Sequence, residues 1–449
     1  MHVVGRCTVC MGIKMELRIN ARKLMIYKNF KHKELFDDFE WLINNADNDY
    51  YNEEDKVALL YECVNELLEL ANSYGFEGNL YHNFLGFILA NNENAFSTSS
   101  EITGAPEGTV NQIAIHDFAI FKELMNFDLD YIDKTLHVDA IAMISNYKNG
   151  GRTGRVFNRR VRDRICELTT LLENSKDVAE YYNHVTDFYK AYGVGKFGLH
   201  KAFRLLCHEG EETQIIPITS IEHIYLKDLV GYELQKKKLI DNTEAFIEGR
   251  KANNVLLFGD SGTGKSSSIK AVLNEYYDRG LRMIEVYKHQ FDRLSEVIET
   301  IKDRNYKFII YMDDLSFEEF EIEYKYLKAI IEGGLGKKPD NVLIYATSNR
   351  RHLIKETYAD KEDRAEDMHT SDTVQEKLSL VARFGVSIYY SAPNKKEFQN
   401  IVKTLADKYG VHMEEEKLYL EANKWELSHG GLSGRTAQQF INYLLGFEE

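Results

Sequence analysis

The segment Gly259-Asp260-Ser261-Gly262-Thr263-Gly264-Lys265-Ser266 constrains the fold more than any other stretch of the chain. It fits the pattern G-x-x-x-x-G-K-[ST] at every fixed position, with an apolar run over 255–258 before it and a helical pattern over 267–277 after it. Glycines let a backbone wrap closely around an anion at φ angles that other residues resist. Successive N–H groups and the positive end of the following helix then face that anion. The arrangement predicts a phosphate-binding loop between a buried strand and a helix. Its cradle is the backbone from Gly259 through Ser267. Lys265 is expected to reach the outer phosphates of a nucleotide, and the Ser266 hydroxyl to ligate Mg²⁺.

A metal-bound triphosphate also calls for a carboxylate. The apolar run 308–312 ends in Asp313-Asp314. A buried strand would carry both acids to the carboxyl edge of a sheet, where the phosphate loop also lies. Two acids so placed need a compensating cation. Asp313 is expected to hold Mg²⁺ through water, and Asp314 to orient the attacking water. Downstream, Ser316-Phe317-Glu318-Glu319 reads as a capping box, which gives Glu319 a structural role. A third run, 342–346, continues into Thr347-Ser348-Asn349. Thr-Ser-Asn is common turn chemistry. Its spacing after the acid pair makes Asn349 a candidate to hydrogen-bond the γ-phosphate or the water.

These motifs sit in a region whose texture differs from the rest. After Pro217, apolar runs at 255–258, 283–286, 308–312, 342–346 and 386–390 alternate with helical patterns. That alternation predicts a parallel sheet covered by helices on both faces. From Asn394 the pattern is helical only and predicts a small lid, while the charged, aperiodic stretch 355–377 reads as a mobile insertion. Upstream, Val57, Leu60, Val64, Leu67, Leu68 and Ala71 make one helical face, and further helices are expected over 161–172 and 178–192. No strand ladder is expected before about residue 210, and 92–110, rich in Asn, Ser, Thr and Gly, reads as a loop. The expected division is a mainly helical N-terminal domain over 1–215, an α/β core over 216–393 and a helical lid over 394–449.

The order of phosphate loop, Asp-Asp strand and Asn-ended strand resembles that of AAA+ ATPases. These are P-loop NTPases with a three-layer αβα core, a parallel sheet and a helical C-terminal lid. The details are more similar still to an uncharacterised bacterial family of predicted AAA+ ATPases. The matching segments are Asp228-Leu-Val-Gly-Tyr-Glu, Ala252-Asn-Asn-Val-Leu-Leu, Gly262-Thr-Gly-Lys-Ser-Ser-Ser, Asp313-Asp-Leu-Ser-Phe-Glu-Glu, Ala346-Thr-Ser-Asn-Arg-Arg-His-Leu, Ala382-Arg-Phe-Gly and Ser433-Gly-Arg-Thr-Ala. They span 226–446; the N-terminal half matches only loosely, as in Gly193-Val-Gly-Lys-Phe-Gly. The resemblance implies that Val230 and Gly231 line an adenine pocket and that Asn349 is the first sensor. It implies that Arg435 is the second sensor, on the lid, and that Arg383 is an arginine finger offered to a neighbouring subunit. It therefore implies ATP and Mg²⁺ as cofactors and a homo-oligomer. Guanidinium donors suit a transition state that spreads negative charge over phosphoryl oxygens. Asp314 stands where AAA+ enzymes usually have Glu, one methylene longer, so slow turnover is expected.

Bulk composition narrows the partners. With Asp+Glu 71 against Lys+Arg 56, the net charge is −15, which disfavours polyanion binding by the protein as a whole. A local basic cluster stands against that trend: Lys148, Arg152, Arg155, Arg159, Arg160, Arg162 and Arg164, opposed by Asp163. It has two readings, a nucleic-acid contact or a solvated helix start with ion pairs. The five cysteines are scattered, and Cys7-x-x-Cys10 has no second pair to complete a zinc site. No run approaches the roughly 18–20 apolar residues that span a bilayer. The expected compartment is the cytoplasm, with no membrane partner. Two functions compete: an ATP hydrolase that remodels or loads an unknown protein partner, and an ATP-gated adaptor or loader with little turnover. A guanine-specific site would want an Asn-Lys-x-Asp segment, which the sequence lacks.

Overall fold

The computed structural model of the chain describes residues 18–105, 107–149, 157–208, 210, 212–317, 322–332, 339–349 and 381–446. Cys7, Cys10, Arg152, Arg155, Glu319 and the segment 355–377 lie outside the described residues. The chain divides into two compact units, Met1–Leu199 and His200–Glu449.

The first unit is helical: α1 (Lys33–Asn45), α2 (Glu53–Tyr74), α3 (Leu80–Asn91), α4 (Ala95–Thr103), α5 (Thr109–Asn126), α6 (Asp130–Leu136), α7 (Ala140–Ser145), α8 (Arg159–Glu173), α9 (Val178–Tyr192) and α10 (Gly195–Leu199). The start of α2 shows why such segments fold locally. Asn52 caps it by accepting the Glu54 N–H, Glu53, Glu54 and Asp55 face its positive end, and Gly75 closes it at φ 75°. Helix α4 corrects the expected loop over 92–110. Asn94 accepts the Phe96 and Ser97 amides while Ser97 Oγ accepts the Asn94 amide, a reciprocal cap. The hydroxyls of Thr98, Ser99, Ser100 and Thr103 then bond the carbonyls four residues back. A composition that reads as loop is here a capped helix. Tyr27, Phe36, Phe39, Phe84, Phe118, Tyr181 and Tyr189 are fully enclosed in the core.

The second unit holds β1 (Ala202–Leu206), β2 (Gln214–Pro217), α11 (Glu233–Ile247), β3 (Val255–Gly259), α12 (Lys265–Tyr276), β4 (Leu281–Glu285), α13 (Leu294–Ile301), β5 (Lys307–Met312), α14 (Glu323–Glu332), β6 (Val342–Ser348) and β7 (Val386–Tyr390). One seven-stranded sheet runs in the order β2-β1-β4-β5-β6-β3-β7. Every pairing is parallel except that of β1 with β2. One expectation is corrected, since a strand does precede residue 210; the five expected strands β3–β7 are parallel as the sequence predicts, and β1 and the antiparallel β2 extend their sheet at one edge. The β1 run escapes notice because it is short and half-exposed, with only Ala202, Phe203 and Leu205 buried.

The apolar runs become strands because both faces of the sheet are covered. Val255, Leu257, Ile309, Tyr311, Leu343 and Tyr345 pack with Leu239 and Phe246 of α11 and Ile269, Val272 and Leu273 of α12. The alternate residues Leu256, Phe308, Ile310 and Ile344 are equally buried on the other face. The result is a three-layer αβα sandwich. Helices α15 (Lys395–Tyr409), α16 (Glu415–Ser428) and α17 (Gly434–Leu445) follow it, closing a small core of their own around Phe398, Val402, Ala422 and Phe440.

Candidate functional site

Strand β3 lies between β6 and β7, and the chain leaves it for β4, beyond β6 and β5. This is a switch point of the sheet, where clefts form outside the carboxyl ends of strands. The loop there is built around close approaches. A Cβ on Gly259, at φ 132°, would stand 2.0 Å from the Tyr390 carbonyl oxygen. Asp260 is tied to the end of β7, its amide donating to Tyr390 O (3.0 Å) and its Oδ2 accepting from the Ala392 amide (2.7 Å). Its side chain is thus engaged with the neighbouring strand. Gly264, at φ 91°, leads into α12, whose first-turn N–H groups have no acceptor within the helix.

Six polar residues close into one ring. Lys265 Nζ, 6% exposed at the residue level, donates to Gly259 O (2.9 Å), Asp260 O (2.6 Å) and Asn349 Oδ1 (3.0 Å). Asn349 Nδ2 donates to Asp314 Oδ1 (2.8 Å). The Asp314 amide donates to Thr347 Oγ1 (2.9 Å), which donates to Asp313 Oδ1 (2.6 Å). Ser266 Oγ donates to the same Asp313 oxygen (2.7 Å), returning the ring to the start of α12. Removal from water pulls the Lys265 pKa below its usual value, with Asp260, Asp314 and Asp313 pulling the other way. Removal from water also opposes the Asp313 charge, yet hydroxyl hydrogen bonds from Thr347 and Ser266 hold its pKa below the ordinary range. The site therefore keeps a charged carboxylate beside a hydroxyl.

A cavity of about 830 Å³ opens over this ring. Ser261, Gly262, Thr263, Gly264, Lys265, Ser266, Ser267, Asp313, Asp314 and Asn349 line it, as do Val230 and Arg435. The Arg435 amide donates to Gly262 O (3.2 Å), so the start of α17 rests directly on the loop. Gly231, at φ 79°, adjoins Val230 in the segment leading to α11. Arg383 stands apart, in the turn before β7, at the opposite edge of the sheet from the phosphate loop.

Sequence reasoning missed several lining residues. Thr347 belongs to the Thr-Ser-Asn stretch, where only Asn349 drew a role. Ile401, Leu405 and Tyr409 of α15 form an apolar wall with Ile224 and Leu229, and Lys408 Nζ reaches Asp228 Oδ1 (2.9 Å) at its margin. A helical face of Ile401, Leu405 and Lys408 is readable only once the lid is known to fold back. Tyr232, at φ 60°, tilts against Tyr390 with ring centroids 5.0 Å apart.

In the described part of the basic cluster, two arginines are engaged within the unit. Arg162 bonds Asp163 and lies over Phe157, and Arg164 lies over the Tyr192 ring at 4.2 Å. Among the described residues no group of three or more His, Cys, Asp or Glu is placed to hold a metal, and no helix is long and apolar enough to cross a membrane.

The family model described as Protein of unknown function (DUF815) matches residues 199–448. Over 75 residues the chain is 35% identical to the replication factor C large subunit of Methanococcus vannielii, covering 17% of this chain and 15% of that protein. Over 74 residues it is 34% identical to that of Aeropyrum pernix, again 15% of the relative's length. The chain thus spans about 15% of the length of these curated relatives. Among solved structures, a point mutant of RuvB from Thermotoga maritima is similar at 17% identity and TM-score 0.34, covering 49% of this chain and 64% of that one. The FIGL-1 AAA domain in complex with ADP is similar at 17% identity and TM-score 0.34, covering 51% of this chain and 74% of that one. With more than half of its length under the family model, and with phosphate loop, acid-ended strand and lid assembled on one three-layer sheet, the chain belongs to the DUF815 family and carries the AAA+ P-loop fold.

Proposed function

We propose that this chain binds ATP with Mg²⁺ and hydrolyses it, coupling nucleotide state to remodelling or loading of a protein partner. One observation carries the reading. Lys265, Ser266, Asp313, Asp314 and Asn349 meet in one cavity at the carboxyl rim of the sheet. The donor set suits Mg²⁺. The Ser266 hydroxyl and an Asp313 carboxylate held in its charged form are hard oxygens in contact at 2.7 Å, and Mg²⁺ takes few protein ligands beside phosphate and water. When bound, the ion would neutralise charge developing on the phosphates.

The loop amides from Ser261 through Ser267 would cradle the phosphates, with Gly259 and Asp260 anchoring the loop to β7. Lys265 would exchange its two loop carbonyls for phosphate oxygens. Asp314 would orient the water and Asn349 would hold the γ-phosphate end. Val230, with Gly231 beside it, would meet the adenine, and Arg435 would reach the phosphates from the lid. Arg383 would act on a neighbouring subunit of a homo-oligomer. We assign the helical unit 1–199 to partner recognition, 200–393 to the ATPase core, 394–449 to the lid, and the protein to the cytoplasm; the expected boundary at 215 gives way because β1 and β2 belong to the sheet. The short match to replication factor C large subunits makes a DNA-linked partner worth including in assays.

A second reading, an ATP-gated adaptor with little turnover, is favoured by position 314. Asp is a methylene shorter than Glu, and its carboxylate is already engaged by Asn349. Steady-state hydrolysis with and without DNA separates the two. Robust turnover lost in Asp314→Ala supports the hydrolase, and tight ATP binding with negligible turnover supports the adaptor. Failure of ATP to bind at all sinks both.

A further inference from the structure

We propose that Thr347 is a positioning residue for the reaction: its buried hydroxyl fixes the metal-holding carboxylate and the neighbouring acid relative to each other. This rests on the ATPase reading above. The β5–β6 ladder ends at the pair Met312–Ala346. Beyond it the chain turns, and Asp314 takes a left-handed φ of 49°, one of four non-glycine residues with positive φ among the described residues. Such a backbone persists only where its surroundings hold it.

Thr347 supplies that hold in three bonds. Its Oγ1 accepts the Asp314 amide (2.9 Å), its Oγ1 proton goes to Asp313 Oδ1 (2.6 Å), and its carbonyl accepts the Leu315 amide (2.7 Å). The directions are forced. An amide N–H can only donate, so the hydroxyl must accept there, and its single proton is left for the carboxylate. Thr347 is 2% exposed, so its side chain is held in place by the surrounding fold. Where the regular ladder stops, this side chain continues it around the turn and sets the spacing between Asp313 and Asp314. The placement of reacting groups matters at the ångström scale.

Thr347→Val keeps the shape and removes the two hydroxyl bonds, and Thr347→Ser restores them. The measurements are kcat and KM for ATP across a Mg²⁺ titration, binding of a fluorescent ADP in EDTA and in Mg²⁺, and a thermal melt. For Thr347→Val we expect kcat to fall about 10- to 100-fold. Nucleotide affinity in EDTA stays at the wild-type value, and more Mg²⁺ is needed for half-maximal turnover. Thr347→Ser recovers most of the loss. If the valine variant does not fold, Thr347→Ala takes its place with the same expectation. Wild-type kcat in the variant overturns the inference. So does a serine variant as impaired as valine, since the threonine would then act by packing. A wild type that binds nucleotide without turning it over sinks the hydrolase reading alone. Thr347 is then judged by whether Thr347→Val loses the Mg²⁺ enhancement of ADP binding: loss supports the inference and retention overturns it.

Discussion

Gly262 shows how tightly single residues are constrained at the site. Its φ is +73°, and a Cβ there would stand 2.9 Å from Ser433 Oγ and 3.1 Å from Arg435 Cβ. The positive φ belongs to the turn of the loop itself, and the crowding follows from the lid resting on it. Gly262→Ala should cost roughly 1–2 kcal/mol in backbone strain. It should also part the Ser433–Arg435 turn from the loop, weakening nucleotide binding by about tenfold, equivalent to about 1.4 kcal/mol. A fluorescent-ADP titration reads this directly, and unchanged affinity at an unchanged melting temperature would show that the lid has room to spare. The fixed glycines, Lys265 and Ser266 were legible from sequence because their spacing encodes a backbone shape. Thr347 was not. Its role depends on where the β5–β6 ladder stops, and a threonine at the end of an apolar run carries no sign of that.

Among elements, the ones read correctly are those whose burial imposes a plain pattern. Strand β6, buried along all seven residues, shows as an apolar run, although its polar end Thr347-Ser348 hid two further strand residues. Helix α4 failed to show because its buried face is mostly polar, Ser97, Ser100 and Glu101 beside the one aromatic anchor Phe96, and so carries no apolar period. Two elements carry predictions. In α5, fully buried Asp117 accepts the amides of Met25, Ile26 and Tyr27 and so ties the chain before α1 to this helix. Asp117→Ala leaves the buried Tyr27 amide unmet at about 1–3 kcal/mol and frees the part-buried Met25 and Ile26 amides toward water. Urea unfolding should register a loss of about 1–3 kcal/mol; a shift within the measurement error would mean that water or rearrangement fills the gap.

On the lid, Lys408 of α15 holds Asp228 at the cavity margin. Its hydrogen bond keeps the Asp228 carboxyl below the ordinary value of 3.8. A depressed carboxyl contributes fully above its unfolded value and loses its contribution as pH falls through the folded one. The link is therefore intact at neutral pH and opens only below about pH 4. Asp228→Asn at neutral pH should mimic that opening and speed nucleotide release, which a stopped-flow chase of fluorescent ADP would time; a wild-type release rate would remove the link from lid control.

At the scale of the whole molecule the position of Arg383 bears on the proposed homo-oligomer. Strands β3 and β7 run parallel in the register Val255–Val386 to Gly259–Tyr390. The phosphate loop leaves the far end of β3, and Arg383 enters at the near end of β7. Five strand residues at about 3.3 Å each put roughly 16 Å between the two edges, well beyond one side chain's reach. Arg383 cannot serve its own cavity, so a finger role requires a second copy whose opposite edge faces this one. Turnover per subunit should then rise with protein concentration. Arg383→Ala should lose about 10³-fold or more in kcat while binding ATP normally. The decisive test mixes two inactive proteins, Arg383→Ala and Lys265→Ala. The first keeps an intact loop and the second keeps an intact arginine, so mixed interfaces regain complete sites and activity returns in proportion to their number. No recovery in mixed oligomers, or full activity in a verified monomer, would remove the trans arrangement and leave Arg383 a role at its own edge of the sheet.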